Sequence, residues 1–400
     1  MGNAPPVVAP DELARLDALL NVGLGLARRA RSGRLLLARI ADSIDLGWIP
    51  SPWGDEIAAE LDAAHGGAAE PLATRAVERV LRDAWGIRPE DELDDLEADP
   101  VAITPSSQVH RASLDGKPVA VKVLRPDLAA SVRQDMALLE LLAGPLGSAF
   151  PGVDPSAATS EFRERVLEEL DLEHEAEVQR RFHRALRGHP FLSVPTPLSR
   201  LCHENVLVSD WVDGVALWDA PNPDLAAARL VAFGIGAAVE VGVSHADLHP
   251  DNVLVGPDGG LTILDFGATR RVDRERAAGA AGILDALAAA DGETLGEAMA
   301  ALGWLPAAHG SAAIELARHA LGDLGQPGAS RLDDAAVIGA RDRALRRPDL
   351  IGELVMAGSP PAEDLWPARG FAVMFATVAR IGATGDWLAM LRAALSDGWD

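Results

Sequence analysis

The 400-residue sequence has few of the residues that stabilise small secreted or metal-binding proteins. It contains one cysteine, Cys202, and no tyrosine, and only 4% of its residues are aromatic. A single cysteine excludes an intrachain disulfide and any zinc module built from several cysteines, and it is typical of a reducing compartment. The chain must therefore rely on a hydrophobic core, for which 48% hydrophobic residues provide ample material.

Positive charge and long apolar runs are also scarce. Lysine and arginine total 36 against 60 acidic residues, which gives a net charge of −24. Such a surface repels phosphate, so we expect no nucleic acid partner. No stretch reaches the roughly 18 to 20 uncharged apolar residues that a membrane-spanning helix needs, and acidic residues within Met1–Asp17 are untypical of a secretory signal. We therefore predict a cytoplasmic protein and leave peripheral contact with the inner face of the membrane open.

The main concentration of positive charge lies within a helical pattern over residues 11–47. Its arginines are Arg28, Arg29, Arg31, Arg34 and Arg39. The simpler interpretation is a solvated helix face, and the alternative is a surface for anionic lipid, a lipid substrate or an acidic partner. A second helical block follows over about 54–86, and the acidic run Glu90–Asp99 then marks a boundary. Residues 1–98 are thus predicted to form a helical extension.

After this boundary the hydrophobic period changes from helix to strand. Val109–Leu114 and Pro118–Leu124 alternate around Asp115-Gly116, which is a strong hairpin signal. Helical patterns follow at about 127–143 and 156–187, then a strand at Asn205–Trp211. From Asp273 onwards the chain is rich in alanine and helical. We predict an α+β, two-lobed architecture, with a small β-sheet lobe over 99–213 and a larger helical lobe over 214–400.

The strongest chemical signal is a pair of motifs around two short predicted strands. The first is His245-Ala-Asp247-Leu-His249-Pro-Asp-Asn252, and the second is Asp265-Phe266-Gly267. Phosphoryl transfer needs a carboxylate near the attacking hydroxyl and metal ions that bridge the phosphates. An Asp followed five residues later by an Asn, with a second Asp after the next strand, supplies a base and two metal ligands. We therefore predict that Asp247 is the base and that Asn252 and Asp265 bind the metal.

The two histidines of the first motif admit a different interpretation. His245 and His249 are four residues apart with carboxylates nearby, as in some metal sites. Pro250 argues against both histidines lying on one helix face. We expect them to brace the loop by hydrogen bonding.

A lysine within an apolar predicted strand points to a nucleotide site. Lys122 can reach the α- and β-phosphates from Val119-Ala-Val-Lys122-Val, but a buried lysine without a partner would be costly. The acidic helix at 156–187 offers that partner, and Glu175 is favoured. Asp171, four residues earlier, shares its face.

Together these residues resemble the UbiB, or aarF-domain-containing, atypical protein-kinase-like family over roughly residues 45–275. The segments that carry the resemblance are Gln108-Val-His-Arg-Ala, Val119-Ala-Val-Lys122-Val-Leu-Arg-Pro, Glu168-Glu-Leu-Asp171 with Glu175-Ala, and the two motifs around Asp247 and Asp265. The resemblance implies a protein-kinase-like fold with an N-terminal helical extension, Mg²⁺, and ATP or ADP.

The resemblance also implies a role for individual residues. Lys122, the helix-C glutamate Glu175 and the catalytic-loop Asp247 form the catalytic set. Ser209–Val212 corresponds to the hinge that faces the adenine. The residues expected to contact the nucleotide, besides Lys122, are Ser106, Ser107, Gln108, Glu169, Asp171, Asp210, Trp211 and Val212.

Two segments depart from the family pattern. The family's Lys-x-Gly-Gln motif, which hinders protein-kinase activity, falls on Leu37-Ala-Arg39-Ile40 and is missing. The Ala-rich phosphate loop is replaced by Pro100–Gln108, which contains no glycine and carries Pro105. Loss of the inhibitory motif predicts a freer cleft, and the stiffer loop predicts weaker or slower use of ATP.

Three functions follow from these patterns. The first is a Mg-ATP-dependent UbiB-like kinase or ATPase that supports isoprenoid-lipid or quinone metabolism near a membrane. The second is a small-molecule phosphotransferase of the aminoglycoside or choline kinase type, since that group shares the His-x-Asp-x-His-Pro-x-Asn loop. The third is a non-catalytic pseudokinase scaffold, which the altered phosphate loop favours and the complete Lys, Asp, Asn, Asp set disfavours. The sequence leaves a homodimer open.

Overall fold

The computed structural model describes residues 70–104, 106–126, 170–358 and 360–399, together with isolated residues between 128 and 168. The predicted basic helix, the Leu37–Ile40 stretch, Pro105 and Glu169 lie outside the described residues. So do most of the predicted extension and the predicted helix at 127–143.

The described secondary structure alternates short strands with helices. The helices are α1 (Thr74–Trp85), α2 (Leu172–Ala185), α3 (Pro223–Glu240), α4 (Arg274–Ala289), α5 (Gly292–Ala301), α6 (Gly310–Leu321), α7 (Asp334–Leu345), α8 (Pro348–Ala357), α9 (Ala362–Ile381) and α10 (Trp387–Asp397). The strands are β1 (Asp95–Leu96), β2 (Ala102–Ile103), β3 (Ser107–Leu114), β4 (Lys117–Leu124), β5 (Leu192–Ser193), β6 (Val206–Asp210), β7 (Val215–Ala216), β8 (Val243–His245), β9 (Val253–Val255), β10 (Leu261–Ile263), β11 (Thr269–Arg271), β12 (Ser330–Arg331) and β13 (Thr384–Gly385). The predicted α+β class is confirmed.

The small lobe is built on the predicted hairpin. Strands β3 and β4 pair antiparallel along their full length, and β6 pairs with the other side of β4. Asp115 and Gly116 both have positive φ, 51° and 74°, which a two-residue turn matching the twist of the strands requires. The Asp-Gly pair thereby fixes the register that places Lys122 opposite Val109 and Leu207.

One face of this sheet is covered by α1. Val77 and Leu81 of that helix are fully buried and pack with Val119, Val121 and Val123 of β4. Strand β1 pairs with β3. The small lobe therefore includes a helix and a strand that precede residue 99, where the sequence placed the boundary, because the valine face of β4 needs an apolar cover.

The opposite side of the lobe carries α2. Asp171 caps this helix, since its Oδ1 accepts hydrogen bonds from the backbone N–H groups of Glu173 and His174. The buried face of α2 includes Glu175, Ala176 and Phe182. The cap and the apolar face together set which turn of α2 meets the sheet, and that turn carries Glu175.

The larger lobe surrounds α3 with helices and short strand pairs. A four-stranded sheet runs in the order β5-β10-β9-β7, and β8 pairs with β11. Its core includes Phe182, Phe233, Phe266 and Trp399, whose rings lie 4.9 to 6.1 Å apart. The β8–β9 and β10–β11 connections emerge at one end of this core, and they contain both chemical motifs. None of the described helices has the length and apolar character needed to cross a membrane.

Helix α9 is seated directly on the backbone of the first motif. A Cβ atom at Gly370 would lie 2.9 Å from Ala246 Cα and even closer to the His245 carbonyl oxygen. Seven residues later, the buried Thr377 Oγ1 donates to the Leu248 carbonyl oxygen at 2.9 Å. Glycine is therefore required at 370, because only a residue without a side chain allows this approach.

We predict that Gly370→Ala destabilises the protein by about 1–3 kcal/mol, because the added methyl must displace backbone atoms of the loop. A matched change is Gly282→Ala in α4, where the new Cβ would meet Ala298 at an ordinary 3.8 Å. That variant is expected to be neutral or more stable by about 0.5–1 kcal/mol. Urea unfolding of both variants checks the pair, and equal effects would contradict the close packing.

Candidate active site

The centre of the site is an ion cluster between the two lobes. Lys122 Nζ lies 2.8 and 2.9 Å from the two carboxylate oxygens of Glu175 and 2.6 Å from Asp265 Oδ2. Strand β4 supplies the lysine, α2 the glutamate and the β10–β11 connection the aspartate. Glu175 is 1% exposed and Asp265 is 30% exposed. The predicted ion pair is present, and it includes the predicted metal ligand as well.

Burial and charge act in opposite directions on these side chains. Burial, and then the Asp265 carboxylate, raise the pKa of Glu175 above its ordinary value. Burial also works to raise the pKa of Asp265, but the Lys122 ammonium outweighs it and leaves that pKa lowered. Burial alone would lower the pKa of Lys122, but the two carboxylates outweigh it and raise that pKa. The cluster thus holds a protonated lysine beside an ionised Asp265.

The first motif forms a loop that brings Asp247 and Asn252 together. Asn252 Nδ2 donates to the Asp247 backbone carbonyl at 3.0 Å and lies 3.4 Å from Asp247 Oδ2. This contact leaves the Asn252 side-chain oxygen available as a ligand. The five-residue spacing in the sequence therefore corresponds to a direct contact between Asn252 and Asp247.

His245 braces this loop against the second motif. Its Nε2 lies 2.6 Å from the Asp265 carbonyl oxygen, and its Nδ1 accepts from the Asp247 backbone N–H at 3.2 Å. Burial lowers its pKa to about 4, so the ring is neutral. Because Nδ1 accepts a hydrogen bond and Nε2 faces a carbonyl oxygen, the proton is assigned to Nε2. Both ring nitrogens are engaged, which disfavours the metal-binding alternative for His245. His249 Nδ1 is 3.5 Å from the Asp251 backbone nitrogen, in keeping with the expected bracing role.

The second motif is anchored to α2 by its phenylalanine. The Phe266 ring is fully buried, 4.9 Å from Phe182 and 5.3 Å from His245. Its backbone N–H points to Glu175 Oε1 at 3.4 Å, and the Gly267 N–H donates to Asp265 Oδ1 at 2.9 Å. These contacts orient Asp265 toward Lys122.

The oxygen donors present fit a magnesium ion that binds together with phosphates. Asp265 offers carboxylate oxygens and Asn252 an amide oxygen, and Mg²⁺ is usually held by one or two such groups plus substrate phosphates and water. Within the described part of the chain, no three His, Cys, Asp or Glu side chains are grouped as a metal cage. The donor set therefore suits a metal that accompanies a nucleotide.

Arg369 is a residue of the site that the sequence analysis missed. It lies on α9, in the region for which the sequence indicated only packing, and its Nη2 is 3.3 Å from Asp247 Oδ1. Its side chain is 10% exposed. The only signal near Arg369 in the sequence is the neighbouring Gly370. In an alanine-rich helix a glycine can reflect either close packing or the general composition, so it does not point to a site.

Comparison with known proteins identifies the family. Residues 67–299 match the model of the ABC1 atypical kinase-like domain, which is more than half of the chain. The chain belongs to the ABC1 atypical kinase-like family. The resemblance to UbiB and aarF-domain proteins is therefore confirmed, and Arg369 lies outside the matched residues.

Relatives within this family come from bacteria and plants. The chain is 29% identical over 221 residues to the "Probable protein kinase UbiB" of Aeromonas salmonicida, and the match covers 51% of this chain and 40% of that protein. It is 30% identical over 209 residues to "Protein ACTIVITY OF BC1 COMPLEX KINASE 1, chloroplastic" of Arabidopsis thaliana, with 49% and 31% covered. The match thus spans less than half the length of either relative.

A solved structure shares the fold over nearly the whole chain. It is "The complex structure of Rv3197-erythromycin from Mycobacterium tuberculosis", with a TM-score of 0.64 and 24% identity. It covers 98% of this chain and 99% of the other. The similarity at this identity concerns the fold, and together with the match to the ABC1 atypical kinase-like domain it confirms the kinase-like architecture.

The predicted phosphate loop of this ABC1-family chain forms hydrogen bonds within itself. Thr104 Oγ1 accepts from the backbone N–H groups of Ser107 at 2.9 Å and Ser106 at 3.3 Å. In a loop that cradles phosphate these are the groups that face the anion. The hydroxyls of Ser106 and Ser107 also lie within 3.3 Å of Thr104 Oγ1. Nucleotide contact by the two serines therefore requires the Thr104 bonds to be exchanged.

Gln108 is placed away from the cluster. Its neighbour Val109 lies opposite Lys122, and successive side chains of a strand alternate between faces, so Gln108 is on the α1 side of the sheet. It is fully buried, accepts from the Leu72 backbone N–H at 2.7 Å and lies 2.6 Å from His110 Nε2. Its position does not support the predicted contact with the nucleotide.

The predicted hinge begins at the end of β6, between the lobes. Asp210 ends the strand and is exposed, while Trp211 and Val212 are partly buried. The Trp211 backbone N–H donates to the Pro118 carbonyl oxygen at 3.2 Å, and the guanidinium carbon of Arg111 lies 4.8 Å from the centre of the Trp211 ring. Asp171 is engaged as the cap of α2 one turn before Glu175. Its predicted role near the nucleotide stays a prediction, as does that of the hinge.

Proposed function

We propose that this protein binds Mg-ATP and transfers or hydrolyses its terminal phosphoryl group. The observation that carries the proposal is the bridge from Lys122 to both Glu175 and Asp265, at 2.6 to 2.9 Å, beside a loop that joins Asp247 to Asn252. Phosphoryl transfer depends mainly on positioning and charge, and this arrangement supplies both. A scaffold without catalysis has no need to keep both the ion cluster and the Asp247–Asn252 contact.

Each side chain has a separate task in this proposal. Lys122 holds the α- and β-phosphates and is itself held by Glu175. Asp265 and Asn252 bind the magnesium ion, which supplies positive charge to the phosphates. Asp247 orients the attacking hydroxyl and accepts its proton. The neutral His245 keeps the two motifs in register through its two hydrogen bonds.

We further propose that the activity serves isoprenoid-lipid or quinone metabolism at an anionic membrane surface. The relatives' names supply the first reason, since one is called UbiB and another is named for the bc1 complex. A second reason lies in the helical lobe, where an apolar cavity of about 410 Å³ is lined by α4, α6, α7, α9 and α10. Its one charged lining residue is Arg318. An isoprenoid chain suits such a cavity, because apolar ligands bind where the lining is apolar.

The cavity and the loop share α9. Phe371 and Phe375 line the cavity with ring centroids 4.7 Å apart, while Gly370 and Thr377 contact the loop. Phe371 is 45% exposed, so a charge there is compatible with folding. A ligand in the cavity would therefore contact the helix that supports Asp247.

The test is phosphate release from Mg-ATP, measured alone, with anionic liposomes and with liposomes that contain an isoprenoid quinone. Asp265→Asn serves as the blank. We expect Asp265-dependent turnover that rises with quinone liposomes, and we expect Phe371→Asp to remove the rise without changing basal turnover. Val355→Asp, at a position 46% exposed on α8, is the matched control. Turnover indifferent to quinone and to Phe371 would contradict the lipid role alone.

A second candidate function is phosphoryl transfer to a soluble hydroxylated compound. The structural neighbour from Mycobacterium tuberculosis was solved with erythromycin, a compound with several hydroxyl groups, and it matches the chain from end to end. The net charge of −24 would attract cationic acceptors of this kind. ATP consumption stimulated by erythromycin or an aminoglycoside, with a phosphorylated product by mass spectrometry, would favour this function. No turnover with any acceptor would favour the scaffold.

A further inference from the structure

Arg369 lies at a largely buried position, where a charged side chain is energetically unfavourable. It extends from α9 to the catalytic loop, its side chain is 10% exposed, and its Nη2 lies 3.3 Å from Asp247 Oδ1. The Trp366 ring lies 5.1 Å from its guanidinium carbon, one helical turn earlier. A buried guanidinium usually has several acceptors, because leaving a donor unmet costs free energy.

Two donor atoms of its guanidinium group lack an acceptor in the part of the chain that the structure describes. Nε and Nη1 of Arg369 are buried and have no hydrogen-bond partner among the residues that the structure describes. The donors of a guanidinium form a rigid planar fork that matches a carboxylate or phosphoryl group. Since Nη1 and Nη2 share one carbon, an anion bound at Nη1 lies beside Asp247.

The helix leaves Arg369 little freedom to move away. Gly370 packs against the backbone of His245 and Ala246, and Thr377 donates to the Leu248 carbonyl oxygen. These contacts lie on either side of Asp247 in the loop. The position of Arg369 is therefore fixed by the close packing of the α9 backbone against the loop.

We propose that Arg369 is a further residue of the phosphoryl-transfer site, which positions Asp247 through Nη2 and donates a hydrogen bond from Nη1 to the phosphoryl group in transfer. This inference rests on the proposed function. In the step, the oxygen of water or an alcohol forms a bond to the terminal phosphorus, and the bond from phosphorus to the ADP oxygen breaks. ADP leaves with the electron pair, Asp247 takes the proton of the attacking hydroxyl, and Arg369 keeps its own protons.

The test compares Arg369→Ala, Arg369→Lys and Arg380→Ala by ATP hydrolysis. Arg380 lies on the same helix and is exposed, so it is the matched control. We expect Arg369→Ala to lower kcat by about 1000-fold, the lower end of the range for arginines that stabilise transferring phosphate. The KM for ATP should change by less than about threefold, because Lys122 and the metal hold the nucleotide. Arg369→Lys keeps the positive charge but lacks the planar fork of donors, so its kcat should be about tenfold higher than that of Arg369→Ala.

A second measurement separates chemistry from structure. Guanidinium ion at tens of millimolar should restore part of the turnover of Arg369→Ala and none of Asp265→Asn, since only the former lacks a guanidinium group. Circular dichroism melts of all variants show whether the fold is retained. A kcat for Arg369→Ala equal to that of Arg380→Ala, or a loss without rescue by guanidinium or lysine, would overturn the inference.

Failure of the underlying function is distinguishable from failure of this inference. Wild-type protein without Asp265-dependent phosphate release rejects the proposed function before any Arg369 variant is compared, and the role of Arg369 falls with it. Wild-type turnover that is normal in Arg369→Ala rejects the role of Arg369 alone.

Discussion

Replacement of Asp265 by asparagine is expected to lower Mg-ATP-dependent phosphate release by about 1000-fold or more, while the protein remains folded. Asparagine has nearly the same shape, so the Gly267 N–H still finds an oxygen acceptor. The substitution removes the negative charge that binds the metal ion, and charge stabilisation supplies most of the catalysis in phosphoryl transfer. Lys122 keeps Glu175 as its partner at 2.8 Å, so its buried ammonium group remains paired.

The control for this variant is Asp251→Asn, in the same lobe and on the loop that carries Asn252. The Asp251 side chain is 75% exposed, so removing its negative charge should leave turnover within about twofold of wild type. Initial rates of phosphate release over a range of Mg²⁺ concentrations measure both variants. An Asp265→Asn enzyme as fast as wild type, or a loss equal to that of Asp251→Asn, would show that Asp265 does not bind the catalytic metal.

Replacement of Lys122 by alanine is expected to remove the thermal stabilisation that Mg-ATP confers on the wild-type protein. The substitution takes away the cation that contacts the phosphates and leaves Glu175 and Asp265 facing each other. Two carboxylates without a shared cation repel, so one of them takes up a proton. We expect the dissociation constant for the nucleotide to rise by at least about tenfold, which corresponds to about 1.4 kcal/mol of lost binding free energy.

Lys117→Ala is the matched control, because Lys117 lies exposed at the start of the same strand. The melting temperature with and without Mg-ATP measures ligand binding through its effect on unfolding. An unchanged nucleotide-induced shift in Lys122→Ala would refute the phosphate contact. Loss of the shift in Lys117→Ala as well would point to a general effect of charge.

Much of the local structure was predictable because its causes are close together in the chain. The Asp115-Gly116 turn and the alternating residues on either side predicted β3 and β4. The strand expected at Asn205–Trp211 is Val206–Asp210. The contact between Asp247 and Asn252 is also short-range, since five residues of one loop cannot lie far apart.

The ion cluster needed more than spacing. Lys122 and Glu175 are 53 residues apart, and the acidic run around Glu175 offers several carboxylates of equal appearance. The cap at Asp171 and the apolar face of α2 decide which carboxylate points inward. Gln108 belongs to a segment that resembles the family motif, but the pairing of β3 with β4 places it on the face of the sheet opposite to Lys122.

The sequence by itself determined the family and the α+β class, and its local motifs singled out Lys122, Asp247, Asn252 and Asp265 as candidate site residues. Only the tertiary structure decided that Arg369 belongs with them. It is separated from Asp247 by 122 residues, and no local pattern marks it. The close approach of α9 at Gly370 brings the two together, since contacts between distant segments depend on how surfaces pack in three dimensions and leave no period or spacing along the chain.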